Sequence, residues 1–313
     1  MSDSDKIPEA LPANYIVPKV WTFEKPQGGI LGSVNAPTAG SRGPPRPLPR
    51  GEHSLQLHSM GTPNGQKVAM LLEEYVSLIP NFEYDAYLIN IFKGDQFGSG
   101  FTDISPNSKI PALLDYDHSD DTLPGGEPIK VFESGSVLLY LAEKFDPSVP
   151  SEMRFLPPTS KPALRAECLN WLMWQMGSAP NLGGAFGHYY RYAPVKIEYA
   201  IDRAAMEAKR LFDVLDRHLG GVDDGGEEKG RTWVCGDVYT VADIAIYPWF
   251  VTMFNYGPTD TESGVFLGLK EYEHVNAWMD RMGARKAVKR GMQVNRAGLR
   301  ERHSRDDFKP EEY

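Results

Sequence analysis

Asn107-Ser-Lys-Ile-Pro-Ala-Leu-Leu114 places a proline at the head of a short apolar run, and Ile129-Lys-Val-Phe132 follows beyond a polar loop near 119–127. Proline cannot donate to a sheet ladder, so Pro111 marks the start of a strand and not its middle. Such a position often carries a cis bond, which would turn the Ile110 backbone outward to pair with a short extended peptide. The plainer alternative is a proline that ends a loop. After the second strand, Glu133-Ser-Gly135 opens an amphipathic helix over Ser136 to Lys144.

Upstream, Ser54-Leu-Gln-Leu-His-Ser59 alternates like a short strand. Gly61-Thr-Pro-Asn-Gly65 then leads into a helical run from Gln66 to Tyr75, with Val68, Leu71, Leu72 and Tyr75 on one face. Thr62 reads as the N-cap and Pro63 as the first helical residue. Phe82 to Ile89 forms the next strand, and an intervening helix requires the two strands to be parallel. The order β-α-β-α-β-β-α therefore spans 53–146 as an α/β domain. Residues 162–290 carry long 3.6-period segments over 162–177, 194–219, 240–254 and 271–283, an all-α second domain. Thr240-Val-Ala-Asp243 is a capping box for the third of these helices. Residues 1–52 are a Pro/Gly-rich arm, either disordered or draped over the body, and 291–313 a tail.

The 313 residues are 41% hydrophobic and 24% charged with a net charge of −9, a globular composition without the basic stripe of a nucleic-acid surface. Apolar runs are too short to span a bilayer, and the N-terminus shows no export pattern. The two cysteines, Cys168 and Cys235, lie far apart and form no CxxC pair. A cytoplasmic protein follows as the expectation.

Two helix starts carry the candidate chemistry. Glu133-Ser134 sits where unpaired N–H groups and a positive dipole end attract a carboxylate, with Glu133 as acceptor for an ammonium; the pair suits a free α-amino acid head. A plain serine cap is the alternative. At the first helix, the Thr62 hydroxyl and Asn64 amide can hydrogen-bond a thiolate brought by a ligand. Lowering a thiol pKa by about two units requires roughly 2.7 kcal/mol, within reach of two hydrogen bonds to a charged sulfur.

With GTPNGQKV (61–68), GDQFGSGF (94–101), NSKIPALL (107–114), VFESGSVLLYLAEKF (131–145) and YAPVKIEYAIDR (192–203) in one order, the chain resembles the glutathione transferases, and among them the nu class, relatives of the yeast prion-forming nitrogen regulator. The resemblance implies a thioredoxin-like βαβαββα domain followed by a helical domain of the transferase type. It implies glutathione as co-substrate, no metal, a homodimer, and thiol–disulfide exchange with two glutathiones per site. Small disulfides and electrophiles would be the partners, with no nucleic acid or membrane. Thr62 and Asn64 would face the sulfur. Glu133, Ser134 and Gly135 would hold the γ-glutamyl head, Ile110 the cysteinyl unit, and Asn35, Gln96 and Lys109 other parts of the peptide. Arg203 would take the second molecule's carboxylate, or else pair on its own helix with Asp202 or Glu207. The family pattern departs at Met176, where it carries glutamine; here Gln175 stands one place earlier. Phe186, His188, Tyr189, Tyr190 and Tyr192 either line the mouth or pack the domain junction. Conjugation, hydroperoxide reduction, or a non-catalytic glutathione-binding regulator using the arm as a partner tail are the alternatives.

Overall fold

A computed structural model describes residues 16–23, 31–32, 34–35, 37–222, 230–255, 262–296 and 302–303. Of the arm, residues 1–15, 24–30, 33 and 36 lie outside the described residues, as do 223–229, 256–261 and, of the tail, 297–301 and 304–313. The first domain runs β1 (Leu55–Ser59), α1 (Pro63–Leu78), β2 (Asp85–Leu88), a single turn α2 (Ser99–Thr102), β3 (Ala112–Asp115), β4 (Ile129–Phe132) and α3 (Ser134–Phe145). As expected, β1 and β2 are parallel. β3 runs antiparallel to β1, and β4 antiparallel to β3.

One face of this sheet packs on α1 through Val68, Leu71, Leu72 and Tyr75, all fully buried; each such side chain contributes on the order of 2 kcal/mol. The arm covers the other face. There Leu48 packs on Ile89, Phe101 and Leu114, and Arg46 N–H donates to Ser99 Oγ at 2.8 Å while its carbonyl accepts from Gly100 N–H at 3.0 Å. Any side chain at Gly100 would strike this backbone, since a Cβ there would lie 2.6 Å from the Leu48 nitrogen. Covering both faces explains why every residue of β1 is buried, Gln56 and His58 included. Residues 42–48 of the arm are thus draped over the body, whereas 16–23 are exposed.

The second domain holds α4 (Pro162–Ala179), α5 (Glu198–Gly220), α6 (Val241–Asn255), the turn α7 (Ser263–Phe266), α8 (Glu273–Ala284) and α9 (Lys286–Gly291). Between α4 and α5, residues Pro180–Tyr192 continue as wide π turns, a form that sequence periodicity does not reveal. Pro180 lacks the amide hydrogen that a regular α-helix would use at that point. The capping box at α6 is present: Ala242 N–H donates to Thr240 Oγ1 at 3.3 Å, and Thr240 N–H donates to Asp243 Oδ2 at 3.0 Å. Trp278 and Val234 donate to the other Asp243 oxygen, each at 2.9 Å.

The domains are joined by charge as well as by apolar contact. Glu73 and Glu74 of α1 are buried and meet Arg290 at 2.6 Å and Arg285 at 2.7 Å. Removing one partner of such a pair costs about 3–5 kcal/mol. The described part of the tail is anchored. Asn295 Nδ2 donates to the Tyr87 carbonyl at 3.1 Å, Gly61 N–H donates to the Asn295 carbonyl at 2.7 Å, and Arg302–His303 forms a fifth strand antiparallel to β2. Cys168 and Cys235, distant in sequence, share a buried contact. Among the described residues, no helix is long and apolar enough to cross a membrane.

Candidate active site at two converging helix starts

The N-termini of α1 and α3 open onto one cavity of about 280 Å³, lined by Thr62 and Asn64 at one end and Glu133 and Ser134 at the other, with Gln96, Lys109 and Ile110 between them. Two positive dipole ends therefore face one space, an arrangement that suits a ligand with two anionic groups. The Ile110–Pro111 bond that borders it is cis, as the sequence suggested.

Thr62 occupies the N-cap position of α1, but its side chain makes no capping bond. The expected cap is thus replaced by a hydroxyl that lines the cavity. Asn64 Oδ1 accepts from Trp249 Nε1 at 2.9 Å. Since an indole nitrogen only donates, the Asn64 amide keeps its N–H₂ for another partner. Gln96 is oriented in the opposite sense. Its Nε2 donates to the carbonyls of Val34 and Ile91, each at 3.2 Å, and its buried Oε1 has no protein partner among the described residues.

Glu133 holds φ +69°, and Ser108 across the cavity holds φ +53°. Non-glycine residues with positive φ cost roughly 1–3 kcal/mol and gather at functional sites. Asn107 Nδ2 donates to Glu133 Oε1 at 3.3 Å. Lys109 bonds Asn35, which lies exposed at the rim, and burial lowers the Lys109 pKa. Gly135 sits beneath the cavity against Met176, whose sulfur would lie 2.9 Å from an added Cβ. This gives Gly135 a packing role between the domains.

Some sequence candidates lie elsewhere. Arg203 is exposed on α5, outside this lining, near Glu207, whose pKa is lowered chiefly by its hydrogen bond to Arg210 and to a lesser degree by the field of Arg203. His188 does not line the cavity either; it stands edge-on to Tyr189 at 5.3 Å. The lining also includes Asn107, Ser108 and Trp249, which sequence reasoning did not single out as site residues. Nor did it single out Lys67, whose Nζ lies 2.5 Å from Gln175 Oε1 and 3.3 Å from Ser134 Oγ. The glutamine displaced by one place in the sequence is therefore the one that reaches the site's underside, while Met176 Sδ accepts from Ser134 Oγ at 3.6 Å.

Residues 198–281 match the family model of the glutathione S-transferase C-terminal domain. The disulfide-bond oxidoreductase YghU of Escherichia coli is 49% identical over 301 residues, covering 94% of this chain and 95% of that protein. A glutathione transferase YghU from Streptococcus pneumoniae, solved in complex with glutathione, superposes with a TM-score of 0.77 at 43% identity, covering 92% of this chain and all of the other. A Pseudomonas putida glutathione transferase with one glutathione disulfide bound per subunit gives 0.63 at 35% identity, covering 77% and 91%. With relatedness of this extent along nearly its whole length, the chain belongs to the glutathione S-transferase superfamily.

Proposed function

We propose that this protein is a glutathione-dependent disulfide-bond oxidoreductase. The observation that carries the reading is the pairing of a free Thr62 hydroxyl and an oriented Asn64 amide at the start of α1, in a cavity whose lining contains no cysteine. The attacking sulfur is then glutathione's own. Its thiolate attacks a small disulfide, forming a mixed disulfide and releasing one thiolate. A second glutathione thiolate attacks the mixed disulfide, giving glutathione disulfide and the second product thiol, so electrons and atoms balance. Attack requires a thiolate close to the target sulfur, which Thr62, Asn64 and the α1 dipole favour.

On this reading Glu133 and Ser134 hold the γ-glutamyl head and Ile110 the cysteinyl backbone. Gln96 accepts from a peptide N–H, Lys109 and Asn35 bound the far end, and exposed Arg203 receives the second glutathione. That solved relatives hold glutathione, or glutathione disulfide, supports the substrate. Conjugation and hydroperoxide reduction would draw on the same thiolate as secondary activities. Val34 of the arm lines the cavity, which favours an arm that shapes the site over a partner tail. A homodimer in the cytoplasm completes the reading; both cysteines remain free thiols, which fits a reducing compartment.

The test is reduction of 2-hydroxyethyl disulfide by glutathione, coupled to glutathione reductase. Wild type should turn over, and a Cys168→Ala/Cys235→Ala variant should retain that turnover. Wild type that binds glutathione in calorimetry yet reduces no disulfide would contradict the proposal.

A further inference from the structure

Lys67 lies one turn into α1, the helix whose start carries Thr62 and Asn64, and its side chain is fully buried. Its hydrogen bonds go to neutral groups, Gln175 Oε1 of α4 and Ser134 Oγ at the start of α3. A buried ammonium normally meets an anion, because desolvation of the charge is otherwise uncompensated. Here the surroundings supply little. Glu133 is the charged group whose field favours the ammonium. From α4 come Gln175 and Met176, both uncharged. The acids further along α1, Glu73 and Glu74, are committed to Arg290 and Arg285. From α6, Trp249 is turned to Asn64, and Lys109 at the cavity adds a like charge. Burial accordingly brings the Lys67 pKa down to about 7, against the opposing pull of Glu133. The cation short of an anion thus sits directly behind the serine and helix start where a carboxylate would dock.

We propose that Lys67 is a positioning residue for the γ-glutamyl head of glutathione, its ammonium fixing Ser134 Oγ and balancing from beneath the α-carboxylate that docks at the start of α3. This rests on the glutathione reading of the cavity. A carboxylate arriving there stabilises the ammonium form, so Lys67 takes up a proton on binding. Affinity for the head group declines as pH rises above neutrality and the bound complex must give that proton back.

The experiment uses S-methylglutathione, which keeps the γ-glutamyl head and has no ionisable thiol. Titration calorimetry slightly above neutral pH, in buffers of different ionisation heat, should report net proton uptake by wild type. Lys67→Met should abolish that uptake and weaken binding about tenfold, the worth of a charge-assisted hydrogen bond. Should Lys67→Met fail to fold, NMR of the lysine-labelled protein decides: the Lys67 amine, told apart from the also depressed Lys109 by the signal lost in Lys109→Gln, must titrate higher on binding. Binding without proton uptake, or unchanged affinity in Lys67→Met, overturns the assignment and leaves the glutathione reading standing. Failure of wild type to bind S-methylglutathione overturns both.

Discussion

An indole N–H cannot accept a hydrogen bond, so Trp249 decides which end of the Asn64 amide is turned toward the cavity. Trp249→Phe removes that constraint and retains most of the ring volume. One hydrogen bond is worth about 0.5–1.5 kcal/mol, so kcat/KM for disulfide reduction should fall by roughly two- to tenfold. Asn64→Ala should fall further, and steady-state kinetics of both variants checks the order. At this scale much of the site was legible. Thr62, Asn64, Gln96, Lys109, Ile110, Glu133 and Ser134 all line one cavity, because helix starts and a strand-heading proline leave local signatures. Trp249 and Lys67 leave none. Each lies on a helix where its neighbours in sequence give no hint of what the other domain brings to it, and a lysine in a helix reads as solvated until tertiary packing buries it.

The elements near the site depend on segments that sequence reading treated as appendages. The chain after α9 holds Gly61, immediately before Thr62, through the Asn295 carbonyl, and buries Val294 in the core. Truncation after Gln293 removes these contacts together with the Asn295–Tyr87 bond. Stability should drop by about 2–4 kcal/mol, from lost apolar burial and hydrogen bonds. A thermal melt should show the loss, and turnover should fall beyond what residual folding accounts for, because the Thr62 loop loses its brace. Regular elements with strong local codes were readable to within a few residues: α1 with its Thr62-Pro63 start, and α6 with its Thr240–Asp243 box. The π turns of 180–192 were not, since their apolar residues Leu182, Phe186 and Tyr190 repeat every four, close to the period of an α-helix. The strand Arg302–His303 is too short to carry a pattern and depends on pairing with the distant β2.

Across the whole molecule, the arm and sheet enclose a second cavity that shares the 90–98 loop with the cavity at the starts of α1 and α3, and His58 lies buried beside it. Burial lowers the His58 pKa to about 4 from 6.5, so between these values the unfolded chain binds the extra proton. The stability this contributes is present above about pH 6.5 and is lost as pH falls toward 4, by about 3 kcal/mol in all. Urea unfolding across that range should show the decline, and His58→Phe, which preserves the stacking on Tyr87, should flatten it. The activity rests on a different ionisation, that of a thiol which the protein does not itself provide. It is measured most directly by titrating the ultraviolet thiolate absorbance of glutathione bound to wild type and to Thr62→Ala. Wild type should show an apparent thiol pKa about two units below the ~8.5 of a free cysteine thiol, and Thr62→Ala should return most of the way to that value. A thiol that titrates in the wild-type complex as it does in free solution would contradict the proposal.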